Sequence, residues 1–198
     1  MDRPLKERFD HLMEIMSSEK FLQMKGLGKE VPFYICPYPP EDNVEMLKLA
    51  DQLRATLAVE HGIQVLIINL YDISLTLLQR RGILDQILEQ EPQLSKGELK
   101  ELLQGVLDPE EHLIPAIAER MAESEFEILF ITGVGEVFPY IRSHNVLNNL
   151  QSTAKRHPTV MFFPGKYNQS LENGASLDLF DKLHDDRYYR AFNIYYAH

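Results

Sequence analysis

Compact apolar runs alternate along this chain with longer stretches in which apolar residues recur every three or four positions. Phe33–Cys36, Val65–Leu70, Ile128–Ile131 and Thr159–Phe163 are short, nearly continuous apolar runs. Their length suits strands buried on both faces. Leu5, Phe9, Leu12, Met13 and Met16 form one stripe at helical spacing and predict a helix over Pro4–Met16. Met46, Leu49, Ala50, Leu53 and Leu57 predict a second helix, opened by Asp42 with Glu45 at capping-box spacing and ended by Gly62. Asp72 is placed to cap a short helix running to about Arg81. Residues 83–123 carry only helical patterning: Ser95 and Glu98 repeat the capping-box spacing, and Asp108-Pro109 reads as an N-cap followed by a proline at the first helical position. A helix over Phe138–Lys155 follows the third apolar run. Gly26, Gly28 and Pro32 mark one loop, and Pro164, Gly165 and Gly174 another. Leu177–Phe180 is a candidate final strand and Asp186–Phe192 a candidate short helix.

Strands alternating with helices predict an α/β fold: a Rossmann-like three-layer arrangement with a small, mostly parallel sheet and helices on both faces. Residues 1–198 are expected to form one domain. The stretch 83–123 is read as a helical insertion between strands, because it far exceeds the dozen or so residues a crossover needs. Its charged face, with Glu101, Glu110, Glu111, Glu119, Glu123 and Glu125, is either solvated or a docking surface for a basic partner.

Composition adds limits. The formal charge of −10 opposes general affinity for nucleic acid or anionic membrane, although a local basic patch is still allowed. Cys36 is the only cysteine, so no intramolecular disulfide can form, as expected in a reducing cytosol. The segment MDRPLKERFDHL has no leader pattern, and no run approaches the ~18 apolar residues of a membrane span. A cytoplasmic protein with no membrane association is the expectation.

Reaction chemistry is hard to find. Gly165-Lys166 is followed by Tyr167 and lacks the earlier glycine of a phosphate-cradling loop. Gly133-Val134-Gly135 lacks the third glycine of a dinucleotide fingerprint, since position 138 is Phe, and Glu136 would repel a phosphate at the next helix. The histidines form no ligand-spaced pair, and His184-Asp185-Asp186 reads more simply as a polar turn. Cys36 has no base beside it and is expected to be a buried structural thiol. No catalytic residues, metal or cofactor are therefore expected.

Recognition chemistry is easier to place. On a helix starting at Phe138, Val146, Leu147, Leu150 and Ala154 share an apolar face, Arg142, Asn145, Asn149 and Arg156 fall opposite, and His144 and Asn148 lie on the border. Guanidiniums and amides suit planar recognition of carboxylates, phosphates or backbone, and a solvated helix face is the plain alternative. A second cluster, Asp186, Arg187, Tyr188 and Arg190 with Asp185, Tyr189 and Phe192, holds residue types common at interfaces.

The segments ILFITGVGEVFPYIRSHNVLNNLQ, VMFFPGKYNQSL and LFDKLHDDRYYRAFNI, in that order, resemble the BrxB component of bacteriophage exclusion (BREX) defence systems. The likeness is strongest over residues 125–195. It includes Gly133, Gly135, Pro139, Arg142, His144, Asn145, Pro164, Gly165, Asp185, Asp186, Tyr188, Tyr189 and Arg190, and departs from the family pattern at Asp181, where a glycine is expected. The resemblance implies a small core component of a bacterial antiviral system, without established catalytic activity. It also implies a PglZ phosphatase-like protein as direct partner, with the BrxC ATPase and PglX methyltransferase in a larger assembly. A non-enzymatic adaptor is thus the leading expectation. The alternatives are a nucleic-acid-binding subunit and a degenerate nucleotide-binding protein.

Overall fold

The computed structural model describes residues 4–24, 32–150, 152–170, 174–186 and 191–196. Its elements in chain order are α1 (Leu5–Met16), α2 (Glu19–Leu22), β1 (Phe33–Tyr38), α3 (Asn43–His61), β2 (Val65–Asn69), α4 (Leu70–Arg80), α5 (Leu84–Gln90), α6 (Lys96–Val106), α7 (Ile114–Ala122), β3 (Ile128–Thr132), α8 (Ser143–Leu150), β4 (Thr159–Ser170), β5 (Gly174–Leu179), β6 (Leu183–Asp186) and β7 (Phe192–Asn193). The sheet body runs β2-β3-β4-β1-β7, and every pairing within it is parallel. The far half of β4 leaves this body and pairs antiparallel with β5, which pairs antiparallel with β6.

Strand residues alternate between faces, and both faces here are apolar. Phe33, Ile35, Leu129, Ile131, Met161 and Phe163 pack in one core with residues of α4, α5, α7 and α8. Tyr34, Cys36, Ile128, Phe130, Val160 and Phe162 pack in the other with Leu12 and Met16 of α1 and Met46, Leu49, Leu53 and Leu57 of α3. Topology explains the division. The crossover through α3 carries the chain from β1 past β4 and β3 to the far edge at β2. The crossovers from β2 to β3 and from β3 to β4 then step back the other way. Right-handed connections running in opposite directions place their helices on opposite faces. The result is the expected three-layer α/β arrangement. Residues 83–123 are helical as predicted, forming α5, α6 and α7, and they cover one face.

Several local expectations hold. The Ser95–Glu98 capping box forms in both directions. Asp108 accepts from the amides of Glu110 and Glu111 at 2.9 Å each, although the turn it opens, Pro109–Leu113, is π-type before α7 begins. Others are corrected. Asp42 makes no side-chain cap on α3; its carboxylate lies 3.2 Å from the buried guanidinium of Arg8, so α1 and α3 are joined by an ion pair instead. Asn69, not Asp72, caps α4. The helix expected over Phe138–Lys155 shrinks to Ser143–Leu150, preceded by turns and a cis peptide at Phe138-Pro139. The strand expected to stop at Phe163 continues through Pro164 and Gly165 to Ser170, because the β5 partner takes over the pairing at Gly165. Of the helix expected over Asp186–Phe192, Asp186 ends β6 and Phe192 begins β7, while residues 187–190, like the Gly26–Gly28 loop, lie outside the described residues.

Cys36 shows how dry the core is. It is fully buried, and burial pushes its thiol up from 9.0 to about 12, against a lowering contact with the Tyr195 hydroxyl at 3.5 Å. Burial also raises Tyr38. The unfolded chain ionises such groups at lower pH than the folded one, so their contribution is complete below pH 9 and is lost as pH climbs toward 12. The urea midpoint should therefore fall over that interval, and Cys36→Ala should flatten the fall in part, with the buried tyrosines accounting for the rest. A thiol reagent should label Cys36 only after denaturation; rapid labelling of the native chain would contradict this packing.

Candidate functional site

The carboxyl ends of the strands in an open α/β sheet are the usual place for ligands. Here the space beside the turn that follows β3 is filled by the protein's own side chains. β3 finishes at buried Thr132, and Gly133 follows with φ +73°, a conformation that L side chains rarely adopt. The Asn69 carboxamide lies directly where a side chain on Gly133 would go. The same carboxamide oxygen accepts from the amides of Tyr71 at 2.9 Å and Asp72 at 3.2 Å, so one side chain caps α4 and fills the turn. Two residues on, a Cβ at Gly135 would meet the Phe180 ring at 2.9 Å and Pro164 at 3.1 Å. Phe180 in turn sits edge-on to Phe138 at 6.4 Å. The glycines of this turn thus permit close packing of β2 and of the β4–β5 hairpin.

The predicted polar face of the following helix divides. Arg142 is exposed but precedes α8. His144, expected on the border, is buried with Val146, Leu147 and Leu150. Asn145 and Asn149 are half-buried, and the Asn149 amide donates to the Asn145 carbonyl at 2.8 Å. Arg156 is exposed in a turn beyond the helix, so its expected place on one stripe with Arg142 is lost. Asn148 is exposed. In the second cluster, Asp186 ends β6, whereas Arg187, Tyr188 and Arg190 lie outside the described residues.

The titratable groups that shift most do so toward the neutral form. Burial raises Tyr34, Cys36, Tyr38, Tyr140 and Tyr167, the last to about 12, while its hydroxyl donates to the Ala191 carbonyl at 2.6 Å. An activated nucleophile needs the opposite shift. The one clear lowering, at Glu98, comes from the Ser95 capping box. Among the described residues, no group of histidine, cysteine and carboxylate side chains could hold a metal ion, and no helix is long and apolar enough to cross a membrane.

Sequence reasoning missed two features. The dual role of Asn69 has a faint signal in the Asn-Leu-Tyr-Asp run that opens α4. The other is a cavity of about 970 Å³ beside β2, which reaches Asn69 and Thr132 at the carboxyl ends of β2 and β3 and is lined also by residues of α3, α4, the Pro109–Leu113 turn and α7. Nothing in the order of residues marks β2 as the edge strand beside that space.

The sequence profile of the family described as BREX protein BrxB matches residues 66–194. A protein described as BREX protein BrxB from Bacillus cereus (strain H3081.97) is 32% identical over 195 residues, covering 97% of this chain and 98% of the relative. Another of the same description, from Escherichia coli O9:H4 (strain HS), is 26% identical over 194 residues, covering 98% of this chain and 93% of the relative. No solved structure matches the chain.

The packed turn is testable by a double-mutant cycle. Gly133→Ala should destabilise the fold by about 1–3 kcal/mol through backbone strain, and more where the new methyl meets Asn69. Asn69→Ala should cost about 1 kcal/mol as a lost cap. Urea unfolding of the double variant should show a loss smaller than the sum, since removing the carboxamide makes room for the methyl. Strict additivity would mean that Asn69 does not fill that space.

Proposed function

The chain belongs to the BrxB family of BREX proteins, and on that premise we propose that it is a non-enzymatic adaptor that binds PglZ and helps assemble the phage-restriction complex. It is a component of a BREX antiviral defence system, so other BREX components are its plausible partners. The observation that supports an adaptor is the filled glycine turn after β3. Where an enzyme of this architecture keeps a crevice, Asn69, Pro164 and Phe180 occupy the space around the Gly133–Gly135 turn. Binding then falls to outer surfaces. PglZ as the direct partner rests on the family resemblance. Arg142, exposed at the start of α8, is a candidate contact.

The experiment is a pull-down of the tagged chain from cells that carry the whole defence operon, followed by pairwise reconstitution with PglZ. The expected result is a stable complex burying about 1,000 Å² or more. Capture of no BREX component would overturn the adaptor reading. Turnover of a small molecule by the purified chain, lost on changing one side chain, would overturn its non-enzymatic part. Nucleic-acid binding would instead appear as salt-sensitive retardation of DNA at low ionic strength; a flat response is expected.

A further inference from the structure

The two ends of the sheet body differ. At one end, β7 is only two residues long, Phe192–Asn193, and such shortness blunts an edge. At the other, β2 runs for five residues, Val65–Asn69, and among the described residues it pairs only with β3. Its core, Val65-Leu66-Ile67-Ile68, has no charge and no proline, the usual devices that guard an edge. Three of these four side chains are only half-buried. Because the Gln64 carbonyl accepts from the Ile128 amide, alternate residues along β2 turn toward β3, and Val65 and Ile67 turn their N–H and C=O groups to the open side.

The cavity of about 970 Å³ lies against this edge, with Ile67, Ile73 and Leu77 among its apolar lining. Its charges are unequal. Arg80 is held by Glu119 at 3.3 Å, Arg120 by Glu123 at 3.1 Å, and Arg81 by the Val106 carbonyl. Asp51 is paired with Arg54 at 3.3 Å. Asp72 and Glu111 also line the cavity and have no lysine or arginine partner among the described residues; Glu111 has only His112, at 4.0 Å. An apolar wall rimmed by unmatched carboxylates suits a side chain with an aliphatic stem and a cationic head.

We propose that the open edge of β2 is a docking site for an extended basic segment of the partner protein, which adds a strand to the sheet and places a lysine or arginine between Asp72 and Glu111. Backbone pairing at Val65 and Ile67 supplies affinity, and the carboxylates supply specificity, the division of labour in strand addition. The occupant is basic because the rim is acidic. A second copy of this chain would bring the same carboxylates, and a net charge of −10, against their equals. The proposal rests on the adaptor reading above and names the surface and the partner's chemistry.

The test measures binding of PglZ to the wild-type chain and to three variants. Asp72→Lys combined with Glu111→Lys changes only side chains at the cavity rim and should weaken PglZ binding at least tenfold. Ile67→Pro removes an outward amide and should do the same, with folding checked by circular dichroism. Glu7→Lys, an exposed charge reversal on α1, should bind as wild type, which separates a local effect from net charge. If wild type binds PglZ and the rim variant binds equally well, the docking site is wrong and the adaptor stands. If wild type captures no BREX component, both fall. A wild-type dimer in solution that Ile67→Pro converts to monomer would identify a second copy as the occupant and overturn the basic-partner assignment.

Discussion

A parallel sheet with apolar residues on both faces must be covered twice, and the rest of this structure follows from that need. Strands β1, β3 and β4 are buried on either side. Water is excluded from one side by α1 and α3 and from the other by the helices between β2 and β4. Each buried aromatic or aliphatic side chain contributes roughly 1.5–3 kcal/mol relative to exposure, and no isolated polar contact here competes with the sum. The polar contacts act as fixings. The buried Arg8 guanidinium meets Asp42 and so joins α1 to the start of α3.

The same economy of space shapes the carboxyl end of the sheet. A glycine-containing turn after a strand is a natural cradle for phosphate when its amides stand open. In this chain the space beside Gly133 belongs to Asn69, and the space beside Gly135 belongs to Phe180 and Pro164. The long β4, running on into its hairpin with β5, brings those last two residues over the turn. Filling this turn leaves the edge beside the cavity as the less guarded place, and β2 is the longer of the two edge strands of the sheet body.

Much of the fold was legible in the sequence, and the failures have physical causes. The apolar runs at 33–36, 65–69, 128–131 and 159–163 are all strands, because short runs of this composition between turn signals suit a strand packed under helices. The Ser95–Glu98 cap and the Gly62 terminator depend on neighbours a few residues away and were equally readable. Asp42 and Asp72 were misassigned because each is a competent cap, and long-range partners decided the contest: Arg8 took Asp42, and Asn69, also filling the turn under Gly133, took the α4 amides. The helix expected after Gly135 is too long because spacing alone does not register the turns at 134–141 and 152–157. His144 was placed at a border when an eight-residue helix, Ser143–Leu150, could bury it. The edge position of β2 was invisible, because an apolar strand reads the same in the middle of a sheet as at its border.

The proposed function is thus tied to the edge of β2. Amide hydrogen exchange of β2, with and without PglZ, tests that most directly. The outward amides of Val65 and Ile67 should exchange quickly in the free chain, far ahead of β3 and β4, and slow by at least about tenfold in the complex. Deep protection of both amides in the free chain, or no change in a complex that has demonstrably formed, would contradict a docking role for this edge.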